Sequence, residues 1–136
     1  MSDTYKKPLP EIRPWTKPFW DGTREGRLML QKGKKSGKLI MYPKKYSPYD
    51  MDEEMEWIEA SGKGTIYTYS IVENNAPSFM AEDVPFCVAI VELEEGVRMC
   101  TNIVDTPFDR ISIGAEVAPV FDKVTEDITL VRFKVV

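Results

Sequence analysis

"PFCVAIVELEEGVRMCTNIVD", residues 85–105, is the stretch on which the fold turns. Two runs rich in β-branched and apolar residues flank Glu94-Glu95-Gly96, and a turn of that composition between two such runs reads as a β-hairpin. In register about the turn, Cys87 opposes a residue near Ile103, and Cys100 one near Ile90. The chain's two cysteines therefore do not face each other, and no disulfide is expected; both read as small strand residues. The first run is apolar on both alternating faces except at Glu92, the pattern of a strand buried on both sides.

Working outward, "GTIYTYSIVE" (64–73) alternates β-branched and aromatic residues after a Gly62-Lys63-Gly64 turn. "EVAPVF" (116–121) and "ITLVRFKVV" (128–136) are separated by an acidic turn. Five strands, with "TPFDRISIGA" (106–115) as a longer connection after the third, predict a small closed Greek-key barrel, most simply an OB-fold. The loop "ENNAPSFMAEDVPF" (73–86) joins the first two strands and displays Phe79 and Met80. A loop of that length either closes the barrel end or makes a contact, with Asn74 and Asn75 as hydrogen-bonding groups.

Before the barrel, "RPWTKPFWDGTREG" (13–26) predicts a short helix. Thr16 suits the N-cap, Pro18 the first turn and Gly26 the stop. So short a helix needs something to dock on. Trp15, Phe19 and Trp20 either cover the barrel or face another subunit. "RLMLQ" (27–31) predicts a short strand.

"GKKSGKLIMYPKKYSPYD" (33–50) has the shape of a metal knuckle, with two turn-forming ends around a lysine-rich hairpin, but no cysteine or histidine. Lys32, Lys34, Lys35, Lys38, Lys44 and Lys45 share a window without an acid, in a chain of net charge −4. They read either as a hairpin edge protected against unwanted pairing or as a patch for phosphate groups. The acids of "MDEEMEW" (51–57) read as solvated.

The chain has 136 residues, of which 43% are hydrophobic and 29% charged, as in a soluble globular protein. No apolar run reaches the roughly 18 residues of a membrane span. The N-terminal stretch is polar, without an apolar signal segment, so a cytoplasmic location is expected. The chain contains no histidine, which removes the Ser-His-Asp triad, the Cys-His pair and imidazole metal ligands. No residue is expected to be catalytic.

Taken in order, "PFWDGTREGRLMLQ" (18–31), the knuckle, "WIEASGKGTIYTYSIV" (57–72), the hairpin, and "IGAEVAPVFDKV…ITLVRFK" (113–134) resemble the acyl-CoA-associated OB-fold family, also called domain of unknown function family 35. The resemblance implies a mainly β chain. Residues 1–27 would be an arm and helix, 28–55 a rubredoxin-like zinc ribbon, and 56–136 a five-stranded OB-fold. It implies a non-catalytic accessory subunit of a thiolase-like enzyme in a hetero-oligomer, with the coenzyme A thioester as a shared substrate rather than a tightly bound cofactor. Lys34, Lys35, Asn74, Asn75 and Phe79 would then contact coenzyme A, and Trp15, Phe19 and Trp20 the partner.

The sequence departs from the family at the ribbon. Gly37, Pro43 and Pro48 match its glycine and prolines, while the four cysteine positions fall on Gly33, Ser36, Ser47 and Asp50. One carboxylate and two hydroxyls do not make a structural zinc site, so no zinc is expected. Tyr42, Tyr46 and Tyr49, with Leu39, Ile40 and Met41, are expected to pack an apolar cluster in its place. The alternative to the accessory-subunit reading is an OB-fold that binds single-stranded nucleic acid through Tyr67, Tyr69 and Phe86. The acidity of the barrel segment argues against it, and no membrane partner is expected.

Overall fold

The computed structural model describes residues 5–136. A helix, α1 (Lys17–Arg24), leads into a three-stranded antiparallel sheet of β1 (Met29–Gly33), β2 (Leu39–Ile40) and β3 (Met55–Glu59), in the order β2-β1-β3. The remaining strands are β4 (Gly64–Val72), β5 (Phe86–Leu93), β6 (Arg98–Ile103), β7 (Glu116–Lys123) and β8 (Thr129–Val135). They close into a barrel in the order β4-β5-β6-β8-β7. Among the described residues no helix is long and apolar enough to cross a membrane.

The hairpin of residues 85–105 forms in the expected register, pairing Cys87 with Ile103 and Ile90 with Cys100. Gly96 supplies the left-handed conformation its turn requires, at φ +98°. Cys87, Ala89, Val91 and Leu93 are buried in the barrel with Ile66, Met99, Ile103, Val117 and Phe133. The expectation that β5 is buried on both sides is corrected. Its other face carries half-buried Val88 and exposed Ile90, because a closed five-stranded barrel has only one interior.

Phe19 of α1, Leu28, Leu30 and Ala60 belong to the same buried cluster as the barrel residues. Helix, small sheet and barrel thus share one core. Thr16 stands at the N-cap position and Pro18 in the first turn, but the Thr16 hydroxyl closes a loop with Arg13 instead of capping the helix. Gly26 follows the helix at φ +74°. The boundary expected after residue 55 also moves. β3 pairs with β1 from Met55 opposite Gly33 through Glu59 opposite Met29, so the ribbon sheet continues to Glu59.

Candidate functional site

The barrel closes through a narrow seam. β6 and β8 run parallel and pair only at Ile103 and Phe133, supported by Val104 N–H to the Phe133 carbonyl at 2.8 Å. Toward the start of β6 the strands separate, and side chains take over the backbone groups. The Thr101 hydroxyl donates to the Val131 carbonyl at 3.0 Å. The Tyr42 hydroxyl, from the ribbon, accepts the Cys100 N–H at 2.6 Å. Backbone groups that the strand ladder no longer pairs take side-chain partners here, because the ladder stops at the seam.

Over this seam lies a cleft of about 410 Å³, walled by Phe19 and Trp20 of α1, Met41 and Tyr42 of the ribbon, and Met99 and Val131 of the barrel. Its lining is mainly apolar, with Glu11, Thr16, Thr101, Asn102 and Arg132 among its polar groups. A concave apolar surface with a few convergent polar groups is the usual form of a small-molecule site. Asn102 and Arg132 join a belt across four strands. Asn102 Nδ2 donates to the Cys87 carbonyl at 3.0 Å, Arg132 Nη1 to Asn102 Oδ1 at 2.7 Å, and Arg132 Nε to Asp122 Oδ2 at 2.8 Å. Asn102 and Arg132 also line a second cleft of about 530 Å³, whose other walls include Phe79, Met80 and Phe86.

Of the residues expected to contact coenzyme A, Phe79 lines this second cleft, and Asn75 lines a third beside Met80, Phe86 and Val88. Asn75 occupies the left-handed region at φ +58°, a conformation asparagine tolerates better than most residues. Asn74 is exposed. Lys34 and Lys35 line neither cleft. Their ammonium groups pair with Glu54 at 3.3 Å and Asp50 at 3.0 Å, so the chain folds its own acids over this part of the lysine hairpin. Lys38 and Lys45 lie over the rings of Tyr49 and Trp15. Of the three aromatics expected at a partner, Phe19 is spent inside the chain, 6% exposed and edge-on to Trp20 at 4.9 Å. Trp15 and Trp20 remain half-buried.

The ribbon differs most from expectation. Tyr42, Tyr46 and Tyr49 are 47%, 56% and 53% exposed, and no buried tyrosine cluster forms. The two turns are tied instead by polar groups. The Gln31 amide brackets the backbone of Lys44, donating to its carbonyl at 2.9 Å and accepting its N–H at 2.7 Å. Glu53 Oε1 accepts the N–H groups of Lys35 (3.0 Å) and Ser36 (2.8 Å), and Oε2 accepts the hydroxyls of Ser36 (3.0 Å) and Ser47. The Ser36 N–H and the Ser47 hydroxyl do most to hold the Glu53 carboxyl down at about 2. In sequence, Glu53 reads as one of several solvated acids in "MDEEMEW". Only the folding of residues 47–53 back onto 33–38 singles it out.

Tyr67, one of the tyrosines considered for stacking on nucleobases, has the Arg98 guanidinium 3.7 Å from its ring centre, and Arg98 is also paired with Glu92 at 2.9 Å. That ring face is taken.

The family model for the C-terminal OB-fold domain of ChsH2 matches residues 57–122. A DUF35 domain-containing scaffold protein of Pyrococcus furiosus is 32% identical over 109 residues, covering 79% of either chain. The chain belongs to the DUF35 family. A DUF35 scaffold protein of Methanocaldococcus jannaschii is 45% identical to it over 74 residues, covering 54% of this DUF35 chain and 52% of the relative. This DUF35 chain thus spans about half the length of that relative. The 3-oxo-4,17-pregnadiene-20-carboxyl-CoA hydratase alpha subunit of Mycobacterium tuberculosis is 34% identical over 99 residues, which make up 31% of that protein. Among solved structures, a chain of the Ltp2-ChsH2(DUF35) aldolase superposes with a TM-score of 0.80 at 28% identity, covering 93% of this DUF35 chain and 98% of the other.

Proposed function

We propose that this chain is an accessory subunit of an acyl-CoA enzyme complex. Its partner is a thiolase-like catalytic subunit that carries the nucleophile, while this chain supplies shape and electrostatics and has no catalytic residue of its own. The observation that carries this reading is the match to a chain of the Ltp2-ChsH2(DUF35) aldolase over nearly the full length of both. The similarity to named acyl-CoA hydratase alpha subunits supports the same class of chemistry. The seam cleft suits the acyl or pantetheine part of a coenzyme A thioester, since its walls are mainly apolar and a few polar groups line it. Phe79 and Asn75, on the loop between β4 and β5, would flank its approach, and Trp15 and Trp20 would meet the partner, where large aromatics contribute most per residue. A cytoplasmic location is part of the same reading.

Co-expression with a neighbouring thiolase-like protein tests it. A stable hetero-oligomer with acyl-CoA activity only when both chains are present supports the proposal. A chain that stays apart from that partner and leaves its activity unchanged overturns it.

A further inference from the structure

The resemblance that implies a zinc ribbon places its four ligands at Gly33, Ser36, Ser47 and Asp50, and these residues do not fit a metal. Gly33 offers no side chain, two positions offer neutral hydroxyls, and the Asp50 carboxylate is held by Lys35 at 3.0 Å. Structural zinc takes thiolate or imidazole donors, and among the described residues no group of three or more histidine, cysteine or acidic side chains is arranged to hold an ion.

What lies between these positions is the end of Glu53. A Cβ built at Gly33 would fall on both carboxylate oxygens of Glu53, far inside contact distance. Those same oxygens receive the hydroxyls of Ser36 and Ser47. Three of the four ligand positions therefore converge on one carboxylate, and the fourth, Asp50, is bridged to the first turn through Lys35.

We propose that the Glu53 carboxylate takes the place of the ribbon metal, pinning the turns at 33–38 and 47–50 together as an anion surrounded by donors, so that this ribbon folds without any ion.

The direction of each hydrogen bond supports an acceptor-only centre. The Ser47 oxygen accepts the N–H of Tyr49 at 3.1 Å, and the Ser36 oxygen accepts the N–H of Lys38 at 3.2 Å. With their lone pairs engaged in this way, both hydroxyls point their protons at Glu53. Two backbone N–H groups complete a set of four donors. An ionised carboxylate offers about four acceptor sites, which matches this demand. A cation at the same point would face donors on several sides. The absent side chain at Gly33 belongs to the same exchange, since any residue there would displace Glu53 from its four bonds. The inference concerns the ribbon alone and stands whether or not the proposed partner is the right one.

Two measurements on the full chain test it. In the first, protein purified without chelator is incubated with zinc, passed through gel filtration and analysed for metal, and its thermal unfolding is compared with and without EDTA. The expected result is no stoichiometric zinc and an unchanged midpoint. One zinc per chain, or a midpoint lowered by EDTA, overturns the proposal.

In the second, hydrogen exchange is followed residue by residue in Glu53→Ala and Glu53→Gln. The Lys35 and Ser36 amides should exchange roughly tenfold faster or more in Glu53→Ala, while Val91 and Phe133 in the barrel keep their protection. Glu53→Gln sets an amide NH2 group against donors whichever way it turns, the two hydroxyls on one side or the two backbone N–H groups on the other. It should therefore weaken the pin and accelerate the same amides, and it serves as the test if the alanine variant does not fold. Unchanged protection of Lys35 and Ser36 in a folded variant sinks the proposal.

Discussion

The Tyr42 hydroxyl and the Cys100 N–H are 58 residues apart in sequence and 2.6 Å apart in space, and their hydrogen bond ties the ribbon to the open part of the β6–β8 seam. Replacing Tyr42 by phenylalanine removes the acceptor and little else. Because the Tyr42 side chain is 47% exposed, water can take over part of the lost bond. Tyr42→Phe should therefore destabilise the chain by only about 0.5–1 kcal/mol, the low end for a hydrogen bond. Denaturant unfolding measures the cost. Faster exchange at the Cys100 amide, with Ile103 unaffected, would place it at the seam.

Acid should loosen the ribbon before the barrel. The folded chain holds the Glu53 carboxyl down at about 2 from an ordinary 4.5, and Lys35 lowers Asp50 in the same direction. A depressed carboxylate stabilises the fold fully above its unfolded pKa, and that stabilisation is lost as the pH falls toward the folded value. The melting temperature should thus be nearly constant from pH 7 to about 5 and decline below about 4.5, the Lys35 and Ser36 amides losing protection first. A midpoint that stays level down to the region of 2 would contradict this.

Phe19 and Trp15 sit close together in sequence but should behave very differently. Phe19 lies in the core shared by helix and barrel, and Phe19→Ala should cost roughly 3–5 kcal/mol, as for other buried phenylalanines. Helix α1 has eight residues and does not persist without that contact. Trp15 is half-buried, and Trp15→Ala should cost less than about 1.5 kcal/mol in stability while weakening any hetero-oligomer. Unfolding curves of the two variants, together with gel filtration beside the partner, separate an internal role from an intersubunit one.

The two thiols should react separately. Cys87 is buried, its thiol donates weakly toward the Val88 carbonyl, and burial pushes its pKa up. Cys100 is exposed. A thiol reagent should modify one cysteine in the native chain and both after denaturation. Two fast thiols in the native chain would show that the barrel opens more readily than its packing implies.

Much of the architecture was legible in residues 64–136, because strand alternation and turn composition are local properties. The hairpin register follows from the Glu94-Glu95-Gly96 turn, and it sets Cys87 and Cys100 apart. The short helix was readable from Pro18 and Gly26. β3 was not, since Met55–Glu59 is apolar and acidic by turns and nothing local says which sheet it joins.

The candidate site was far less legible. Cys100, Asn102, Val131 and Arg132 meet only because β6 and β8 lie side by side across the barrel's closing seam, a consequence of chain topology that leaves no mark in the neighbourhood of any one residue. Lysine clustering was visible in sequence, but its pairing with Asp50 and Glu54 was not, because the acids arrive from a later turn.

The ribbon shows the division most clearly. By itself, the sequence determined that the knuckle keeps its turn-forming glycine and prolines and lacks thiolates, since residue identities alone decide which donors a metal is offered. Tertiary structure decided what fills that centre. Four donors from two separate turns converge where Gly33 leaves room, and the acceptor-only carboxylate of Glu53 is the group in the chain that reaches them.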